Sequence, residues 1–357
     1  MDNILWVTDD LQSTLIRIER LSKYVKDEYN LDLVGFGQEK KIKYFRNTKS
    51  LGQNIGLIKS NILLLLFIIS NRNKYDTVIL YRYRFCYFLT NLFLKKRIIL
   101  DIDDRGDRIS LNNKLKEYFL KRFYLLHKYI IKNRQNVIVS NNNLKKLYGG
   151  SIFYHVNSSM ISEQSANLNS LKIIFAGTAY KHKGIGLLYK SLLLLNNIPW
   201  ELRLTGSDPS GIMNELNNTD SRVKYYGFLN DKKFKDLFFD SNMVVLLQGY
   251  DDKYTETQTP AKVFDALAAG HLTFVTDRSD LKEILKLQSD YDVRDFIIHK
   301  DEYCPTYIAE KIEKAFLKEK SDIIKVSNTN KSIIREFFND SKQSERLINI
   351  FNKLTSN

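Results

Sequence analysis

Cysteine is nearly absent from this chain. Cys86 and Cys304 are its only two, far apart in 357 residues, which excludes a disulfide framework and a thiolate metal cluster. A reducing compartment, the cytoplasm, is the expected setting. Histidine is scarce as well: His127, His155, His182, His271 and His299 stand singly, and none completes an HExxH or another ligand spacing. No serine or cysteine nucleophile motif occurs. Long apolar runs are missing too. The longest, ILLLLFII at 62–69, covers eight residues where a membrane span takes about 20, so a soluble or peripheral protein is expected. The N-terminus, MDNILWVTDD, is acidic and runs straight into a strand pattern, which does not read as a signal peptide. There is no internal repeat and no low-complexity segment.

Apolar and aromatic side chains are plentiful. A hydrophobic content of 43%, with 21 Tyr and 21 Phe, is ample for buried cores. The length suggests about two domains of roughly 150 residues. The net charge of +14 is unevenly spread. Residues 1–165 carry 28 Lys+Arg against 15 Asp+Glu, a net +13, whereas residues 166–357 carry 27 against 26, a net +1.

Short apolar runs at 4–8, 31–35, 77–81, 97–102 and 136–140 read as buried strands, with a further strand at 43–46. Helical periodicity at 11–24, 55–69 and 115–131 separates them. Such alternation predicts an α/β fold, a parallel sheet covered on both faces, with ligands at the C-terminal ends of its strands. Residues 158–169, SSMISEQSANLN, lose the periodicity and become polar, which marks a domain boundary. A second alternating series follows, with strands at 172–176, 200–205, 223–226, 243–247 and 272–276, and residues 331–354 read as a terminal helix. The expected division is a first domain over 1–165, a second over 166–335 and a C-terminal helix over 336–357.

The most informative stretch is 258–276, QTPAKVFDALAAGHLTFVT. Pro260 stands where a first helical turn tolerates it. Val263, Phe264 and Leu267 recur at helical spacing, Ala266, Ala268 and Ala269 leave room for close packing, and Gly270 suits a C-cap. LTFVT then reads as a buried strand. Lys262 and Asp265, three apart, share a face near the helix start, where an anion is favourably held. A lysine and a carboxylate there can grip the phosphates and hydroxyls of a nucleotide. An ordinary Ala-rich helix packed on a sheet accounts for the same residues without a ligand.

This stretch resembles the donor-site helix of GT-B glycosyltransferases, in particular glycosyltransferase family 4 (group 1). The family pattern is roughly Pro-x-Lys-x-x-Glu-Ala-x-Ala-x-Gly before an apolar strand. Pro260, Lys262, Asp265, Ala266 and Gly270 match it, with Asp265 in place of the usual Glu. The resemblance implies two Rossmann-like α/β domains facing each other across a cleft, the second holding a nucleotide-sugar donor. Three earlier landmarks stand in family order. In IIFAGTAYKHKG (173–184), Gly177 ends a strand and Lys183-Gly184 follows. Glycine lets a phosphate approach the backbone and the lysine supplies a point charge, although a solvated Lys-rich loop reads the same way. Family members often carry an Arg where Thr178 stands, so one of two expected charges is either missing here or supplied by Lys181. The glycines of LRLTG and VKYYGFL imply that Gly206 approaches the nucleotide backbone and that Gly227, Phe228 and Leu229 shape a pocket for the base.

One departure concerns the donor sugar. Many members carry a Glu eight residues before the second carboxylate, and here Thr257 stands there with Glu256 one residue off. Either Glu256 reaches the sugar through a changed loop, or Thr257, Gln258 or Thr259 does so. The implied catalytic residues are Lys183, Asp265 and Glu256. Asp265 is expected to hold ribose hydroxyls, and Lys183 with Lys262 to stabilise charge on the leaving diphosphate.

In the first half, Asp101-Ile102-Asp103-Asp104 contains a D-x-D. In GT-A enzymes such a motif holds a divalent metal, and carboxylates suit hard cations. The GT-B resemblance implies no bound metal and no cofactor, so a cleft-lining or helix-capping role is expected instead. Thr8, Asp9, Asp10 and Arg17 flank the first strand-helix turn. In GT-B enzymes that turn faces the cleft, so the resemblance makes Asp9, Asp10, Arg17 and Asp103 the acceptor-side candidates, while a surface helix arginine accounts for Arg17 equally well. On the 115–131 helix and its flanks, Lys114, Lys121, Lys128 and Lys132 form a basic face beside Leu115, Phe119, Phe123, Leu126 and Ile130. A basic amphipathic helix suits an anionic membrane surface, at about 1 kcal/mol per basic residue. No nucleic-acid motif is visible, and a solvated charged face remains the plain alternative. The resulting expectation is a glycosyltransferase moving a sugar from a nucleotide-sugar donor to a glycan or lipid-linked acceptor. It would be retaining, cytoplasmic and peripheral on the inner face of the membrane, in a bacterial surface-polysaccharide pathway. An inactive GT-B-like membrane-associated partner and a nucleic-acid-binding protein are the other classes.

Overall fold

A computed structural model describes residues 1–8, 10–11, 15–39, 41–53, 55–81, 98–104, 118, 122, 136–154, 156–162, 170–250, 255–278, 280–287 and 293–355. The chain divides into two compact units, Met1–His155 with Asp340–Asn357, and Val156–Asn339. The divisions between these units fall at 155/156 and 339/340.

In the first unit the elements run β1 (Asn3–Val7), α1 (Leu15–Lys23), β2 (Asn30–Gly35), β3 (Asn47–Ser50), α2 (Leu57–Ser70), β4 (Thr77–Tyr81), β5 (Ile98–Ile102), β6 (Val137–Val139), α3 (Asn142–Tyr148) and β7 (Ser151–Ile152). The strands form one parallel sheet in the order β3-β2-β1-β4-β5-β6-β7. Side chains alternate across a strand, and each face gathers its own core. Ile4 and Trp6 of β1 join Ile18 and Leu21 of α1 on one face. Leu5 and Val7 join Leu64 and Ile68 of α2 and Leu144 of α3 on the other. The third strand is NTKS at 47–50, not 43–46. Residues 43–46 form a turn: Tyr44 has φ 75°, and the Phe45 N–H donates to the Ile42 carbonyl at 3.3 Å. The apolar character that suggested a strand comes from Phe45, whose ring packs edge-on against Trp6 at 6.0 Å.

The second unit repeats the plan. Its elements are β8 (Leu171–Ala176), α4 (Ile185–Leu192), β9 (Trp200–Thr205), α5 (Ile212–Thr219), β10 (Val223–Tyr225), α6 (Asp231–Phe239), β11 (Met243–Leu246), α7 (Ala261–Ala269), β12 (Leu272–Thr276), α8 (Leu281–Leu285), β13 (Ile297–Ile298), α9 (Pro305–Phe316) and α10 (Lys320–Phe337). The parallel sheet runs β10-β9-β8-β11-β12-β13. In both units the strand order reverses beside the first strand, the topological switch point at which doubly wound sheets bind ligands.

The helical pattern at 331–354 is two helices. α10 ends at Phe337, and α11 (Asp340–Thr355) begins after Asn339. Phe338 is buried and packs on Phe264 of α7 at 5.4 Å, which anchors α10 in the second unit. Phe351 of α11 packs against Trp6 at 6.3 Å and Tyr29 at 5.8 Å, which makes α11 part of the first unit's core. Among the described residues no helix is long and apolar enough to cross a membrane. The basic face of Lys114, Lys121, Lys128 and Lys132 lies outside the described residues, as does Cys86.

His271, between α7 and β12, gives the second unit a pH signature. Its ring lies 4.6 Å from that of Phe238. Burial pushes its pKa down from 6.5 to about 3, with the Phe238 backbone opposing and the Lys331 charge adding to the fall. Above pH 6.5 the imidazole is neutral in both states and stability is undiminished. Between 6.5 and about 3 the unfolded chain binds a proton that the fold excludes, at a cost approaching about 1.4 kcal/mol per pH unit. Urea unfolding at pH 7.5 and pH 5 is expected to show wild type losing about 2 kcal/mol more than His271→Phe. Equal losses in the two proteins would rule this out.

Candidate functional site

In the second unit three strand ends are tied together at the C-terminal edge. The Gly177 N–H, after β8, donates to the Thr205 carbonyl at 2.9 Å, and the Gly206 N–H, after β9, donates to the Gly227 carbonyl at 2.9 Å. The Thr205 hydroxyl donates to the same Gly227 carbonyl at 2.7 Å. Gly206 has φ 121°, and a Cβ there would lie 2.1 Å from the Gly177 carbonyl oxygen, so no other residue allows this approach. Thr178 accepts a hydrogen bond from the Ser207 hydroxyl at 2.9 Å. Phe228 is 82% exposed, an aromatic face presented beside these turns.

Lys183 ends a short 3₁₀ turn, Lys181–Lys183, and Gly184 follows in the left-handed region with φ 67°. A Cβ at Gly184 would lie 2.5 Å from Leu247 Cβ, so the turn is pressed against the chain leaving β11. The Gly249 N–H donates to the His182 carbonyl at 2.9 Å and fastens the same two segments, on either side of the switch point. The Lys183 ammonium reaches Gln258 Oε1 at 3.4 Å. Two motifs distant in sequence therefore share one place.

Pro260 precedes α7 with φ −60° and ψ 120°, the helix starts without a side-chain cap, and Gly270 closes it with φ 77°. Within the helix Lys262 Nζ lies 2.9 Å from Asp265 Oδ2. Asp265 reaches no solvent, while Lys262 is 29% exposed and also lies 4.5 Å above the Phe234 ring. Contact between Asp265 and a ligand hydroxyl therefore requires the lysine to move aside. Just upstream, Thr257 is 3% exposed. Glu256 is 53% exposed and pairs with Arg278 at 2.7 Å. Arg278 escaped sequence reasoning; its signal is a charge directly after an apolar strand, LTFVTDR.

In the first unit the acceptor-side candidates separate. Asp9 lies outside the described residues. The Asp10 N–H donates to the Thr8 hydroxyl at 3.4 Å. Arg17 is buried, not on the surface: its Nε and Nη2 donate to both Asp101 oxygens, the Nε bonds at 3.1 and 2.9 Å. Burial by itself depresses the Arg17 pKa, but the Asp101 carboxylate outweighs it, aided by Asp103 and Tyr81, and raises the value above its usual range. Asp103 accepts a short hydrogen bond from the Tyr81 hydroxyl. Both carboxylates of the D-x-D are thus engaged by protein donors.

No known family model matches the chain, and no curated protein matches it. Solved structures do. HepE of Anabaena, in complex with UDP-glucose, superposes with a TM-score of 0.75 at 11% identity, over 99% of this chain and 100% of that one. A glycosyltransferase from Rickettsia africae gives 0.72 at 13% identity, over 100% and 99%. WaaG, a glycosyltransferase involved in lipopolysaccharide biosynthesis, gives 0.65 at 11% identity, over 97% and 99%. With two doubly wound parallel sheets of matching strand order, the chain has the GT-B fold, built of two Rossmann-like α/β domains.

Proposed function

We propose that this chain is a family 4-type glycosyltransferase that moves a sugar from a nucleotide-sugar donor to a glycan or lipid-linked acceptor with retention of configuration. One observation carries the reading: Lys183 after β8 meets Gln258 ahead of α7 at 3.4 Å, at the edge where such sheets take ligands. The second unit binds the donor. Gly177 and Gly184 let the diphosphate approach the backbone, and Phe228 stacks on the base beside Gly227 and Leu229. Lys183, Lys262 and the α7 N-terminus offset the charge that develops on the leaving diphosphate. Asp265 takes the ribose hydroxyls once Lys262 turns to the phosphates, and Glu256 contacts the sugar. The ammonium groups supply the charge stabilisation, so the reaction needs neither metal nor cofactor. That HepE binds UDP-glucose supports a donor of this class.

The first unit takes the acceptor, with Asp10 and Asp103 at the ends of β1 and β5 and Asp9 as the preceding candidate in the sequence. α2 exposes Ile62 (48%) and Leu66 (55%) on one face with Lys59. That apolar ridge suits peripheral contact with an anionic bilayer, on the inner face of the cell membrane. A role in bacterial surface polysaccharide synthesis fits a lipid-linked acceptor, and WaaG, by its involvement in lipopolysaccharide, supports it. Neutral Thr178 and the engaged Glu256 favour a second reading, an inactive membrane-associated partner of the same fold.

A panel of UDP, GDP, ADP, dTDP and CMP, with and without magnesium, separates these readings by thermal unfolding of wild type and Asp265→Ala. A nucleotide at about 100 times its Kd adds roughly 2.7 kcal/mol, a rise of about 5–11 °C for a domain of this size. The expected result is one nucleotide raising Tm in wild type, independently of magnesium, and not in the variant. A flat panel with retained liposome binding would establish the partner reading, and steeply salt-dependent oligonucleotide binding a nucleic-acid protein.

A further inference from the structure

We infer that Arg278 is a positioning residue for recognition of the donor sugar, acting through Glu256 and the segment that carries it; the inference rests on the glycosyltransferase reading. Arg278 follows β12 and is 8% exposed. Its Nη1 pairs with Glu256 Oε1 at 2.7 Å. Its Nη2 donates to the Tyr250 carbonyl at 2.7 Å and to the Gly249 carbonyl at 3.2 Å. The guanidinium also stacks over the Tyr250 ring at 4.6 Å. One buried cation therefore grips the segment between β11 and α7 at Gly249, Tyr250 and Glu256.

That segment leads to the phosphate-side turn. Gly249, whose carbonyl Arg278 grips, donates its N–H to His182 at 2.9 Å. The Thr255 hydroxyl donates to the same Gly249 carbonyl at 2.9 Å. The Gln258 N–H closes on the Thr255 carbonyl at 3.3 Å, and Gln258 Oε1 accepts from Lys183. These bonds order the segment around Glu256 from both sides, while Lys183 keeps its own backbone turn closed by Gly184. Tyr250 is fixed in turn: its hydroxyl donates to the Ile298 carbonyl at 2.7 Å and accepts from the Asp277 N–H at 3.1 Å.

The chemistry follows from what each group offers a sugar. Thr257, at 3% exposure, presents almost no surface to a ligand. Glu256, at 53%, presents a carboxylate, an acceptor suited to sugar hydroxyls, beside a cation that keeps it in one place. A planar guanidinium grips a carboxylate and two carbonyls at once, which an ammonium on a flexible stem does not. The sugar-selecting carboxylate is thus set one residue ahead of Thr257 by a residue that touches no ligand.

The test is calorimetric binding of UDP, GDP and ADP, each alone and as UDP-glucose, GDP-mannose and ADP-glucose, to wild type, Glu256→Gln, Arg278→Lys and the double variant. The readout is the affinity gained from the sugar, the ratio of the two Kd values. In wild type the sugar should improve binding to the preferred nucleotide. Both single variants should lose that gain by about tenfold, bind the bare nucleotide as wild type does, and combine without further loss. Glu256→Gln, a largely exposed change, keeps the test valid should Arg278→Lys fold poorly. An unchanged sugar gain, additive losses or an equal weakening of bare nucleotide would overturn the inference and leave the donor reading standing. No nucleotide binding to wild type would remove the donor reading and this inference together.

Discussion

Under the proposed glycosyltransferase function, replacing Lys183 by methionine is expected to slow sugar transfer by about 10²–10³-fold, the usual effect of deleting one preorganised charge-stabilising donor. Methionine keeps most of the apolar stem and removes the ammonium, so the loss reports charge. The side chain is set by its backbone: Gly184 turns the chain with φ 67° against Leu247, and the ammonium meets Gln258 at 3.4 Å. A held cation costs no reorganisation when the diphosphate departs, which is why it acts more strongly there than a mobile lysine would. Because the removed interaction strengthens as the bond breaks, kcat should fall more than KM rises. Lys183→Arg should recover part of the rate, since the charge returns with altered geometry. The measurement is nucleotide release under saturating donor, with Tm followed in parallel. A variant that keeps kcat, or loses Tm in proportion to rate, would show that Lys183 only braces its loop.

The strands were legible because buried parallel strands are continuous apolar runs. ILWV, TVILY and LTFVT needed no context. β3 was not, because an edge strand with one neighbour, β2, is alternately exposed and needs no apolar run: NTKS looks like loop. The terminal helices looked like one because helical periodicity carries across Phe338 and Asn339. Only the tertiary contacts of Phe338 on Phe264 and of Phe351 on Trp6 assign the halves to different units. At the candidate site the glycines were legible for a local reason, since turns after strands demand them. Pairings between distant residues were not. Nothing in the sequence says that Arg278 faces Glu256, or that Arg17 lies beneath its helix and not on the surface. In the second case alternation held the clue: with Ile99 on the face that α1 covers, Asp101 falls on that face too.

Asp101→Ala is expected to destabilise the first unit by about 3–5 kcal/mol, the effect of breaking a buried ion pair from one side. Arg17 and Asp101 are 3% and 0% exposed, so the stranded guanidinium finds no water to replace two carboxylate oxygens. Asp103, already accepting from Tyr81, is the nearest relief and an incomplete one. Arg17→Met should cost a similar amount by removing the cation that faces the buried Asp101 carboxylate. Removing both charges, as Arg17→Met with Asp101→Leu, should cost much less than either single change, because desolvation offsets most of what the pair contributes. The chain's two tryptophans make this measurable. Trp6 lies in the first unit's core and Trp200 in the second unit, packed under Arg222 at 3.9 Å. In a Trp200→Phe background, urea unfolding followed by tryptophan fluorescence reports the first unit alone. Single-variant losses under about 1 kcal/mol would place this pair with the weak ion pairs of protein surfaces. Losses that add in the double variant would mean that the two residues stabilise the sheet independently. The expected outcome instead makes the pair a brace: it ties α1 to β5, two residues before Asp103.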